Sequence, residues 1–325
     1  MTLFLTDADV QAVFEWPLAI GELRRAYAAP NKPAMFPPRT MARGDGLWLR
    51  TLSGVNPYDG LMGAKLIAAA VRNRRASYLI PLFHQQTAEL VALVDGASIT
   101  GFRTAATSAV AADLLAPARP LRVGVIGSGF EAQMHLRALS NVRTITAACV
   151  FSPNPTSRQR YVTGLADLAV PITITESGQA AVAGADLIIC AARSRDETPT
   201  LFGAWPDEGA TVISIGSTLP EQREIDASVV ERAGVIVADM VEEVANDTGD
   251  MLAARRAGID FESHLMSLAD AVADPNRIPK QKGLRLYKSV GAALQDLTIA
   301  GMCVVQARKA SRGTELPVSI TPITK

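Results

Sequence analysis

The sequence predicts an α/β protein: a doubly wound parallel sheet joined to a separate α+β module that the C-terminal helix completes. Three observations carry this. Between residues 121 and 238 apolar, strand-like runs alternate with helical stretches. A glycine turn stands between the first of those runs and the first helix. Before residue 117 the texture differs, with helices followed by consecutive strand-like segments joined by turns.

The glycine turn is the most specific of these features. Residues 121–126 are apolar and β-rich and run into Gly127, Ser128, Gly129, Phe130, Glu131 and Ala132, after which Met134, Leu136, Ala138 and Leu139 recur at helical spacing. Residues 145–151 then read as a second strand, so strand, helix and strand fit within about 30 residues, as a βαβ unit requires. Gly127 permits the tight turn, Gly129 admits phosphate where a Cβ would stand, and Ala132 is small enough for close helix–strand packing. The helix N-terminus presents unpaired amides to a pyrophosphate. This is the pattern of a Rossmann dinucleotide site, with residues 127–132 as its cofactor contacts; the alternative is a glycine turn that is only structural.

Further strands are expected at 172–175, 187–191, 211–215 and 235–238. Helices are expected at 157–168, 178–183 and 227–233, the last with Asp226 as N-cap. In the first module, residues 6–28 read as helices with acidic starts, and 46–52, 63–70, 77–83 and 90–95 as strands. Residues 98–115 read as a helix, and the proline-punctuated stretch 116–120 as a linker. Val290, Leu294, Leu297, Gly301 and Val304 share one helical stripe, which predicts a long helix over 289–307 returning to the first module. The tail, 311–325, is expected to be extended or poorly ordered. The domains are therefore 1–117 with 289–325, and 118–288.

Lys plus Arg and Asp plus Glu both total 32, so no net field recruits nucleic acid or an anionic membrane. No apolar run approaches the ~20 residues that span a bilayer, and the first residues lack a basic leader, so a cytoplasmic protein is expected. Cys149, Cys190 and Cys303 lie far apart and read as reduced and inert. His84, His135 and His264 have no metal-ligand spacing, so no metal site is expected.

A carboxylate at the end of the second strand would accept from a ribose 2′-OH and repel a 2′-phosphate. None is there. Ser152, Asn154, Thr156 and Ser157 offer hydrogen bonds, and Arg158 or Arg160 offers a partner for a phosphate, which favours NADP(H) slightly over NAD(H). Alternatively Ser157 caps the next helix and Arg158 is solvated, which leaves NAD(H) allowed.

Three cations stand out in the first module: Arg39 after two prolines, Lys65 inside an apolar strand, and Arg103 at the glycine-bearing start of a helix. Lys65 either snorkels from an edge strand or sits in a cavity for an anionic or imine ligand. His84, in a turn, and His135, after the glycine turn, either face the nicotinamide or pack. Thr248, Gly249 and Asp250 read as a loop or cap. Asp296 orients a cation or lines the cofactor cleft, or else is solvated.

Taken in order and spacing, the segments 38–39, 63–65, 94–108, 127–133, 215–224, 248–250 and 288–296 resemble the ornithine cyclodeaminase/mu-crystallin family over nearly the full chain. The resemblance implies a homodimer whose first module and returning helix form the substrate and dimerisation domain, with nicotinamide between the domains. It places Arg39, Lys65 and Arg103 on the substrate-carboxylate and catalytic positions, and Ser217 and Ser289 along the cofactor. Guanidinium forks suit a carboxylate, and a lysine beside them suits protonation of an imine nitrogen.

The cyclodeaminases of the family carry an aspartate where this chain has Ser217, and a hydroxyl lacks the pKa for that acid–base role. The resemblance therefore implies NAD(P)H-dependent reduction of an α-imino acid, or the reverse amino-acid dehydrogenation. Ornithine-type cyclising deamination and a non-catalytic NADPH-binding protein of mu-crystallin type remain alternatives. Pyrroline-2-carboxylate, piperideine-2-carboxylate, iminosuccinate, and pyruvate with ammonia or methylamine are all open as substrates. The choice depends on which of Met35, Met62, Tyr78 and Phe83 point inward.

Overall fold

The structure, a computed structural model, describes every residue except 193–195, 197, 281, 318 and 325. The chain begins with β1 (Leu3–Leu5) and α1 (Asp7–Val13). Helix α1 starts with a reciprocal cap, in which Thr6 accepts from the Asp9 amide and Asp9 accepts from that of Thr6. Then follow α2 (Trp16–Ala28), β2 (Thr40–Gly44), β3 (Leu47–Val55), β4 (Leu61–Ala70), β5 (Arg75–His84), β6 (Leu90–Asp95) and α3 (Ala97–Leu115).

The second half runs β7 (Leu121–Ile126), α4 (Phe130–Ser140), β8 (Ile145–Phe151), α5 (Pro155–Gly164), β9 (Ile172–Ile174), α6 (Gly178–Val182), β10 (Leu187–Cys190) and β11 (Thr211–Ser214). It continues with α7 (Ala227–Glu231), β12 (Ala233–Ala238), α8 (Val241–Asp247), α9 (Gly249–Arg256), β13 (Leu265–Ser267), α10 (Leu268–Ala273) and β14 (Leu284–Lys288). The chain closes with α11 (Ala293–Lys309) and β15 (Thr314–Glu315).

Two compact units result: residues 1–103 with 292–325, and residues 104–291. The division falls inside α3, whereas the sequence pattern puts it at the proline-punctuated linker. The last turn of α3 explains the difference, because the Leu115 carbonyl accepts from Thr211 and from Arg285, both in the second unit.

The first unit carries a seven-stranded mixed sheet, ordered β15-β1-β6-β5-β4-β3-β2. Helix α11 crosses β3, β4 and β5 and packs against α1 and α2. It is buried nearly all round from Ala293 to Val304, not along one stripe, and Val290 lies outside it. In the tail, residues 314–315 are extended, since β15 pairs antiparallel with β1.

The second unit is a parallel sheet of eight strands ordered β13-β12-β14-β11-β10-β7-β8-β9. Helices follow most of these strands, and the order of winding reverses between β7 and β10. In such a sheet the crevice outside the carboxyl ends at the reversal is where ligands bind. The central strands are buried throughout, as in a sheet covered on both faces.

Candidate active site

The turn after β7 has the geometry its glycines foreshadow. Gly127 has φ +110°, and a Cβ there would meet the Ala191 carbonyl oxygen at 2.6 Å. Gly129 begins α4 with no side-chain cap, and a Cβ there would meet no protein atom within 4 Å. The missing side chain therefore leaves open space before the amides of the first helical turn. These residues fit a dinucleotide pyrophosphate.

Around this cradle the predicted contacts take definite places. Ser128 and Ser152 join hydroxyls at 2.7 Å, which ties the turn to the end of β8. Ala132 is buried and Phe130 is half exposed. The Glu131 carbonyl lies 2.7 Å from Nδ1 of His135, whose Nε2 is 3.0 Å from the Ser108 hydroxyl, so His135 is a buried packing residue. Helix α5 is capped by Asn154, which accepts from the Ser157 amide at 3.2 Å; Ser157 is not the cap. Nor is Arg158 solvated: it is buried over the Phe151 ring, 5.7 Å from the ring centroid, and donates to the Thr175 carbonyl.

Ser217 and Ser289 are buried, with their hydroxyls committed to protein partners. Ser217 donates to the Gln222 carbonyl, and Ser289 donates to Asp239 at 2.6 Å. These bonds fix the chain just past β11 and just past β14. Thr248, Gly249 and Asp250 are not merely a loop or cap. Thr248 ends α8 and begins α9, its hydroxyl donating to the Val244 carbonyl at 2.7 Å, and Asp250 is a buried ion-pair partner of Lys288 at 2.9 Å.

In the first unit, β4 lies between β3 and β5, so Lys65 does not snorkel from an edge. Its side chain is 1% exposed. Lys65 Nζ lies 2.8 Å from Asp296 Oδ1, and Arg103 Nε lies 3.2 Å from the same oxygen. Arg103 Nη1 also donates to Gln295 Oε1 at 2.6 Å, and Gln295 Nε2 donates to the Tyr27 hydroxyl at 2.8 Å. The polar pair on α11 thus holds both cations, and Asp296 is not solvated.

Burial lowers Lys65 to about 8, with the Arg103 charge acting in the same direction and Asp296 acting against them. Arg39, partly buried, adds a smaller push of the same sign as Arg103. Two cations therefore share one carboxylate, and a third, Arg39, is near enough to be felt by Lys65, an arrangement suited to a further anion.

Sequence reasoning missed Arg50. It pairs with Ile67 across β3 and β4, on the sheet face that Lys65 occupies, and stacks over Trp48. The signal was available, since Arg50 stands two residues from Leu52 in a strand whose alternate positions are apolar. Of the four proposed pocket residues, only Tyr78 shares that face, through its pairing with Ile67. Met62 and Phe83 pair with each other on the opposite face, where they line a hollow with Met35. His84 accepts from the Thr87 amide at 3.3 Å within its hairpin turn. Among the described residues no cluster suited to a metal is present.

A glycine cradle on the parallel sheet of the second unit, and a buried lysine among arginines in the first, are features of a dinucleotide-dependent enzyme. The chain belongs to the ornithine cyclodeaminase/mu-crystallin family, whose model matches residues 58–311. Over 225 residues it is 31% identical to a Δ1-pyrroline-2-carboxylate reductase of Colwellia psychrerythraea, covering 68% of this chain and 70% of that protein. It is 29% identical to the ketimine reductase mu-crystallin of Mus musculus over 91% of this chain and 95% of the relative. Among solved structures, the Δ1-pyrroline-2-carboxylate reductase of Thermococcus litoralis, in complex with NADH and L-proline, superposes with a TM-score of 0.88. The identity to it is 25%, over 97% of this chain and all of that one.

Proposed function

We propose that this chain reduces an α-imino acid to the corresponding amino acid with a nicotinamide dinucleotide as reductant. The single observation that carries the reading is the buried Lys65–Asp296–Arg103 cluster. The dinucleotide supplies hydride to the imine carbon, and the nitrogen then needs one proton.

Lys65 is suited to supply it. With its value lowered to about 8, it is charged at neutral pH yet gives up its proton more readily than an ordinary lysine. Arg103 and Arg39 are suited to the substrate carboxylate, since guanidinium groups bind it through paired donors. Asp296 and Gln295 hold Lys65 and Arg103 in place. In the other unit, the first-turn amides of α4 would receive the pyrophosphate.

NADP(H) is the favoured cofactor. The preference is slight and rests on the sequence: no carboxylate stands at the end of β8, and Ser152, Asn154 and Arg158 follow it. The cyclodeaminase alternative is disfavoured by Ser217, whose hydroxyl is given to a carbonyl and has no acid–base role. We also infer a homodimer. The sheet face opposite Lys65 exposes Leu47, Leu49 and Leu79, at 59%, 47% and 37%, a patch of the kind that a second copy covers.

The test is absorbance at 340 nm with NADH and NADPH in parallel, against cyclic and linear imino acids and against keto acids supplied with amines. Consumption with one of these substrates, lost in Lys65→Ala while dinucleotide still binds, is the expected result. Loss of dinucleotide binding in Lys65→Ala would mark Lys65 as structural, and no consumption with any substrate would overturn the reading.

A further inference from the structure

Three of the segments that carry the family resemblance converge on one buried cluster in the second unit. Glu224, Asp250 and Lys288 are all essentially inaccessible. Glu224 Oε1 accepts from the Ala192 amide at 3.0 Å, and its Oε2 accepts from the Ser214 hydroxyl at 2.7 Å and the Gly216 amide at 2.9 Å. Lys288 donates to the Ser214 hydroxyl and the Ser217 carbonyl, each at 3.0 Å, beside Asp250. Asp250 Oδ1 in turn accepts from the Glu224 amide at 2.7 Å.

One carboxylate therefore joins the segments that leave β10 and β11, at the carboxyl edge of the sheet. The first of these segments abuts the phosphate turn, because the Ala191 carbonyl is the atom that a Cβ on Gly127 would strike. A shift of residues 191–192 is thus felt at the pyrophosphate cradle.

We propose that Glu224 is a positioning residue for the dinucleotide: as a carboxylate it holds the ends of β10 and β11 at the spacing the cofactor requires, and its protonation weakens cofactor binding. The proposal rests on the reading that a nicotinamide dinucleotide binds this unit. The carboxylate meets three donors, two of them on Oε2, so a proton on Oε2 sets a hydrogen where the Ser214 O–H and the Gly216 N–H already point. Burial raises Glu224 to about 7, opposed by Lys288 and by the Ser214 and Gly216 hydrogen bonds and assisted by Asp250. Cys190 also faces the cluster; burial and Glu224 hold its thiol well above its ordinary range, so it stays neutral.

The experiment is titration of the intact protein with NADH, followed by nucleotide fluorescence, from pH 6 to pH 9. Wild-type affinity is expected to fall as pH drops through about 7. Glu224→Gln, which imitates the protonated form, should bind about tenfold more weakly at pH 8 and show no such pH dependence. If that variant does not fold, Ser214→Ala serves instead. Loss of the Ser214 donor should move the midpoint of the wild-type pH dependence upward.

Equal affinity and equal pH dependence in wild type and Glu224→Gln, or an unmoved midpoint in Ser214→Ala, would overturn the proposal. A wild-type protein that takes up no NADH at any pH would overturn the dinucleotide reading itself, and the proposal with it.

Discussion

Lys65 is buried more deeply than an ammonium ordinarily is, and Arg103 and Arg39 add repulsion, so Asp296 is what keeps it charged near neutral pH. A proton donor works below its own pKa, so turnover is expected to decline as pH rises through about 8. Asp296→Asn preserves shape and removes the opposing charge. It should move that decline to lower pH by about one unit or more, as the pH profile of kcat would report. An unmoved limb would mean that Lys65 is not the titrating donor. The same depression makes the charged Lys65 unfavourable to folding below pH 8, an effect that fades between about 8 and 10.5 as only the unfolded chain stays protonated.

The cations themselves were legible in the sequence, because a lysine in an apolar strand has few explanations. Their carboxylate was not fully so. Asp296 lies far away in sequence, at position 296 against 65, and only the fold brings the two within hydrogen-bonding distance. Glu224 and Lys288 were harder still, since Glu224 stands in the polar run 221–224 where nothing sets it apart, and Lys288 ends a strand that already carries Arg285.

Among the elements, α4 offers the sharpest separation of folding from binding. A Cβ on Gly129 meets open space in the protein alone. Gly129→Ala should therefore leave the thermal midpoint unchanged and weaken dinucleotide binding about tenfold or more, by intruding on the phosphate. A destabilised variant with intact binding would contradict the assignment of this turn. Most of the strands that pattern reasoning located are long, as β8 is, or wholly apolar, as β10 is. Those it missed are two or three residues long, like β1, β13 and β15, or are interrupted by charge, as Lys288 ends β14. Helix α11 begins later than its hydrophobic spacing suggests because the Val290 and Gly291 amides are taken by the Asp239 carboxylate, at 3.0 and 2.8 Å. No periodicity in sequence encodes that contact.

For the whole molecule, the doubly wound sheet and the α+β module were both readable, because alternating βα texture and consecutive strands differ in period. The boundary between the units was not, since α3 continues through it as one helix. The apolar outer face of the first unit bears on assembly. Leu49 is 47% exposed in the middle of β3 and faces away from Lys65. Leu49→Glu places a charge on that face and should convert the proposed dimer to a monomer in sedimentation analysis, whereas an unaltered mass would contradict a dimer formed through this face.

Hydride transfer to an imine carbon is read out with NADH and NADPH deuterated at the transferring position. Incubated with the imino-acid panel, the protein should yield one amino acid carrying a single deuterium at Cα, detected by mass spectrometry, and Lys65→Ala should yield none. Dinucleotide binding with no deuterium in any product, or ammonia released from ornithine without net change in the dinucleotide, would contradict it.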